Sequence, residues 1–94
     1  MLEFKGFHPK DVSNEIALKL TNSGVHYHNL DSGAFQFIPY TEIAGFSGWQ
    51  PGYGSLHIYS SNPNLMIHLN FAAEVAEQAL SQIQSFLQEK MVTV

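Results

Sequence analysis

Histidine is the residue type best equipped for chemistry in this sequence. It occurs at five positions: His8, His26, His28, His57 and His68. His26 and His28 stand two residues apart in an extended segment and therefore share a face. His57 lies between the apolar Leu56 and Ile58, and His68 between Ile67 and Leu69. If the apolar neighbours point inward, both histidines point outward. Pairing Leu56 with Leu69 and Ile58 with Ile67 keeps the apolar face continuous, and that register sets His57 directly opposite His68, with Cβ atoms about 4.5–5.5 Å apart. Two facing imidazoles are able to hold a divalent metal or to act as a proton-sensitive contact near neutral pH. A metal site wants a third or fourth ligand, and no Asp or Glu stands beside these strands in sequence. The expectation is therefore outward polar side chains with no metal.

Trp49 and Tyr53 form the second lead. They lie in Gly48-Trp49-Gln50-Pro51-Gly52-Tyr53-Gly54, which reads as a glycine-rich loop. Large aromatics on loops are frequent binding hot spots, although Trp49 is equally able to fold back and plug the end of a core. Both readings stand at this point.

Catalytic constellations are not assembled. There is no Gly-x-Ser-x-Gly elbow, and Ser55 reads as turn-to-strand material. Glu74 and Glu77 share a helix face that is expected to be solvated. The glycines at 48, 52 and 54 lack the order, the following helix and the lysine of a phosphate loop. With no cysteine, disulfides, thiolate zinc sites, iron–sulfur clusters and thiol nucleophiles are excluded together. No enzyme activity and no cofactor are expected.

The elements that position these residues follow from pattern. Asn14 to Thr21 alternates, with Ile16, Leu18 and Leu20 on one face, which marks a half-buried strand. Asn22-Ser23-Gly24 is turn chemistry, with Gly24 suited to a positive φ, and Val25 to Asn29 returns with Val25 and Tyr27 inward. Further strands are predicted over Glu3–Phe7 (weak), Ala34–Tyr40, Ile43–Phe46, Leu56–Tyr59 and Leu65–Leu69. Pro39 marks a bend or an edge, and Ser60-Ser61-Asn62-Pro63-Asn64 marks a turn. The period then changes. From Phe71 to Lys90, Ala76, Leu80, Ile83 and Leu87 recur at helical spacing, widened by Ala72, Ala79 and Phe86, and predict one amphipathic helix. Asn70 is the expected N-cap. The apolar tail Met91-Val92-Thr93-Val94 either frays or adds an edge strand to a neighbouring subunit. The fold class is mainly β: about seven antiparallel strands in a bent sandwich or barrel, with two packed sheets, closed by a C-terminal helix, in a single domain over residues 1–94.

Charge and composition bound the partners. The 94 residues are 45% hydrophobic and 13% charged, with net charge −4 and no arginine. Lys5, Lys10, Lys19 and Lys90 are scattered, which disfavours nucleic acid and anionic lipid. The N-terminus lacks the basic start and long apolar run of a signal peptide, so a cytoplasmic protein is expected.

The segment Phe37-Ile38-Pro39-Tyr40-Thr41-Glu42-Ile43-Ala44-Gly45-Phe46 resembles the strand entry of pleckstrin-homology-like domains of the small bacterial kind. Leu18-Lys19-Leu20-Thr21-Asn22-Ser23-Gly24-Val25 resembles the first hairpin of that family, and the closing strand pair and helix match its order. The resemblance implies a seven-stranded bent sandwich with a capping helix, and a non-enzymatic interaction or scaffolding module, self-associating as a homo-oligomer. It does not carry phosphoinositide binding, because Lys5, Lys10 and Lys19 lack the paired basic neighbours that such sites use. The alternative is a small-ligand or metal-binding protein using the Trp49/Tyr53 loop or the His57/His68 pair.

Overall fold

The computed structural model describes residues 1–49, 54–62 and 64–91, without the side chains of Trp49 and Met91. Within these residues the chain forms β1 (Leu2–His8), β2 (Asp11–Leu20), β3 (Gly24–Asn29), β4 (Phe35–Pro39), a 3-10 turn (Tyr40–Glu42), β5 (Ile43–Trp49), β6 (Gly54–Ser60), β7 (Met66–Phe71) and α1 (Ala73–Met91). The strands are antiparallel in one seven-stranded sheet of order β4-β3-β2-β1-β7-β6-β5. The mainly β class with a single C-terminal helix is as expected, but the two expected sheets are joined into one.

The join is narrow. Among the described residues β1 meets β7 in register only at Phe7 and Asn70. Gly6 stands next to this contact, and a Cβ there would overlap the Asn70 carbonyl oxygen and approach Leu69 Cδ1 to 2.8 Å. A strand glycine commonly marks such a close backbone approach.

One apolar cluster runs across the join. It takes Ile16, Leu18, Leu20, Val25 and Ile38 from β2–β4, Leu56, Ile58, Ile67, Leu69 and Phe71 from β6 and β7, and Ile83 and Leu87 from α1, all fully buried. On β2, β3, β6 and β7 the inward face is the one the alternation gave. Each such side chain contributes about 1.5–3 kcal/mol by leaving water. The helix lies over this face and contacts β5, β6 and β7, with Ala76, Ala79 and Leu80 also buried.

Four expectations are corrected. Asn70 is not an N-cap: β6 pairs with β7 as far as Gly54 opposite Phe71, so the ladder takes up the backbone that capping would need. The helix begins at Ala73 rather than at Phe71, which ends β7, so Ala72 lies outside the helix and is exposed instead of widening its stripe. The Val75 N–H donates to the Ala72 carbonyl at 3.1 Å. Gly48 and Trp49 belong to β5, and Gly54 to β6, rather than to a loop. Gly24 is not a positive-φ residue. The one glycine in that region among the described residues is Gly33, at φ 79, in a turn where Asn29 Oδ1 accepts from the Asp31 and Ser32 N–H groups. What Gly24 supplies is space, since a Cβ there would stand 2.7 Å from the Phe37 ring.

Candidate functional site

Side chains alternate across a strand, so the inward Leu56, Ile58, Ile67 and Leu69 leave Ser55, His57, Tyr59, Met66, His68 and Asn70 on the face away from the helix. The register pairs His57 with His68 and Tyr59 with Met66. The two imidazoles stack, with ring centroids 3.7 Å apart and planes 26° from parallel. The Tyr59 ring lies nearly parallel to His57 at 6.0 Å. Both histidines are half-buried, whereas Tyr59 is 42% and Met66 50% exposed.

The turn after β1 approaches this pair. His8, Pro9, Lys10 and His68 line a cavity of about 260 Å³. His8 Nδ1 accepts from the Lys10 N–H at 3.1 Å, so that nitrogen is the unprotonated one. Burial holds His68 below its ordinary pKa of 6.5, and the positive charges that His57 and His8 would carry act in the same direction.

His26 and His28 lie elsewhere. They share the outer face of β3, where His26 packs on Phe37 at 4.6 Å and both rings border Phe35. Thr21 Oγ1 stands 3.3 Å from His26 Nε2. A shallow cavity of about 300 Å³ opens there, bordered by Lys19, Glu3, His26, His28 and Phe35. The strand order places β2 and β1 between this group and His68. The histidines therefore form two groups, and no cluster of three or more His, Cys, Asp or Glu able to hold a metal occurs among the described residues.

The aromatic lead divides. Trp49 ends β5, its backbone paired with Ser55, and Tyr53 lies outside the described residues. The flanking glycines serve the helix. A Cβ on Gly54 would stand 2.7 Å from Ala76 Cβ, and one on Gly48 would stand 3.2 Å from Leu80 Cδ2.

Two polar contacts escaped the sequence reading. Ser55 Oγ donates to Asn70 Oδ1 at 2.8 Å, with both residues buried, so this serine is engaged in structure. Tyr40, which packs on Phe86, donates its hydroxyl to the Thr21 carbonyl, and burial raises its pKa to about 12. That bond ties the β2–β3 turn to the segment under the helix. Also unread was the charge distribution. From Ile43 to Phe71 the sequence holds no Asp, Glu, Lys or Arg, so the exposed face of β5–β7 has only histidine and tyrosine to ionise.

No family model matches the chain, and neither the curated proteins nor the solved structures contain a match to it. No helix among the described residues is long and apolar enough to cross a membrane.

Proposed function

We propose that this protein is a non-enzymatic interaction module of pleckstrin-homology-like fold that binds protein, including its own kind. The observation that carries the reading is the outer face of β5–β7, where His57, Tyr59, Met66 and His68 form an uncharged, aromatic-rich patch outside the core. Protein interfaces are depleted of charge at their centres and enriched in aromatics and Met. The meander of strands closed by a helix supports the resemblance read from the sequence. A cytoplasmic location is part of the proposal and rests on composition.

Anionic ligands fit poorly. Lys19 faces Glu3 across the β1–β2 ladder, and Lys5 faces Ala17, so neither lysine has a basic cross-strand neighbour there. Phosphate recognition relies on convergent cations, and this favours neither nucleic acid nor phosphoinositide. Light scattering of the full chain over a wide concentration range tests the reading. A mass above the monomer supports it, and a strict monomer at every concentration counts against it.

A second reading, a divalent metal held by the imidazoles of His57 and His68, is supported by their facing positions in the β6–β7 register, although the rings meet face to face rather than with converging nitrogens. Calorimetric titration with Zn²⁺ decides it: heat no greater than that of a His57→Ala control rejects the site.

A further inference from the structure

We infer that the outer face of β5, β6 and β7 is the surface on which a second copy of this chain docks, with the His57–His68 stack at its centre. The inference rests on the interaction reading above and names its partner and its place.

The first argument is the placement of charge. All eight carboxylates and all four lysines lie outside the span from Ile43 to Phe71. A sheet face that only meets water is usually studded with charge, and β1 and β2 follow that habit, with Glu3, Lys5, Glu15 and Lys19 on their outer sides. β3 and β4 also lack charge and carry His26, His28, Phe35 and Phe37 there, so Phe35→Lys is the control that separates the two faces. On β5–β7 the corresponding positions are Ser47, Ser55, His57, Tyr59, Met66 and His68. Ser55 is held by its buried bond to Asn70, but charge at the exposed Ser47, Tyr59 or Met66 would not disturb the core, so the need to fold does not account for its exclusion there.

The second argument concerns the occupant. Each copy carries a net charge of −4, so two copies repel over most orientations. They approach at least cost where neither presents a carboxylate, and this face meets that condition. A strongly basic partner would find no countercharge here, and a strongly acidic one would find only Lys10 at the rim. A two-fold arrangement sets the patch against its own image, which lets Met66 of each copy meet aromatic rings of the other, a favourable sulfur–ring contact.

The area sets the strength. Three strands about 4.8 Å apart, with about 3.3 Å per residue along them, span roughly 14 by 20 Å. That is roughly 300 Å² per copy, below the ~800 Å² of a standard interface. The dimer is accordingly weak and depends on concentration.

Protonation opposes it. The groups facing the stack are His8 at the end of β1, Lys10 in the turn after it, and Tyr59 on β6. β5 and β7 add no other titratable side chain, and α1 lies on the opposite face of the sheet. A charge placed on the stack is therefore unneutralised, and dimerisation would confront it with the same charge on the partner.

Sedimentation equilibrium of the full chain, from micromolar to millimolar concentration, tests the inference at about pH 7.5 and about pH 5.5, either side of the ordinary histidine pKa. The expected result is a reversible dimer at the higher pH that is weakened about threefold or more at the lower, where histidine takes up protons. Met66→Lys, at an exposed position, is expected to abolish it with the circular dichroism spectrum unchanged, and Phe35→Lys, exposed on the other half of the sheet, to leave it intact. A dimer that survives Met66→Lys, or one lost in Phe35→Lys alone, overturns the assignment of the face while the interaction reading stands. A chain that stays monomeric at every concentration overturns both.

Discussion

Ser55 and Asn70 share a buried hydrogen bond across β6 and β7, the serine hydroxyl donating to Asn70 Oδ1 at 2.8 Å. Breaking it from one side leaves the other group without its partner, at about 1–3 kcal/mol. Ser55→Ala is expected to lose stability in that range. Asn70→Leu strands the serine hydroxyl and is expected to lose a similar amount. Replacing both partners removes the unsatisfied group, so the double variant should be more stable than the sum of the two losses predicts. Urea unfolding of the four proteins gives the cycle, and strict additivity would show that the bond does not couple them.

The histidine stack makes stability depend on pH. Burial and the neighbouring His57 and His8 lower the folded-state pKa of His68, so the unfolded chain binds the proton more readily. The contribution of His68 to stability is fully present above 6.5, its ordinary value, and falls as pH drops through 6.5 towards the lowered value. Thermal unfolding should show the midpoint decreasing over that window. His68→Gln should flatten the decrease, and His57→Ala should reduce it in part by removing one repelling ring. A slope unchanged in His68→Gln would assign the dependence to other groups.

Gly6 controls the join between the two halves of the sheet. Its missing side chain lets β1 lie against Asn70 and Leu69. Ala is otherwise the better residue within regular structure by about 0.5–1 kcal/mol, so loss in Gly6→Ala isolates the close approach. Because the obstructing atom is backbone, a loss of about 1–3 kcal/mol is expected. Chemical denaturation measures it, and hydrogen exchange should show faster opening at Asn70 than at the β2–β3 ladder.

Much of this architecture was legible because apolar alternation fixes both face and register. Pairing Leu56 with Leu69 and Ile58 with Ile67 places His57 opposite His68 from pattern alone, and the stripe through Ala76, Leu80, Ile83 and Leu87 gives the docking side of the helix. Boundaries were legible only where a local signal was the deciding one. Asn70 has the side chain of a cap, but a strand partner far away in sequence, at Ser55, claimed it. Gly48 and Gly54 look locally like loop glycines, and their use as seats for Leu80 and Ala76 exists only once the helix is in place. The candidate face was readable in principle from the uncharged run between Ile43 and Phe71. No single residue signals it, because missing charge is a property of the whole segment.

The seat at Gly54 gives a sharper test of helix docking than truncation alone. Ile83 is fully buried, and Ile83→Ala should cost about 2–5 kcal/mol. That loss confirms burial without identifying the surface that buries it. Gly54→Ala does so, since its new Cβ would stand 2.7 Å from Ala76 Cβ and 3.0 Å from Leu80 Cδ1. The expected loss is about 1–3 kcal/mol from overpacking. Ala76→Gly alone should also destabilise, by about 1 kcal/mol or more, because it removes a buried methyl and places glycine inside a helix. Combined with Gly54→Ala it transfers that methyl from helix to strand, so the pair should lose less than the two single changes added together. Thermal unfolding of the four proteins reads this directly, and simple additivity would mean that the helix does not rest on Gly54.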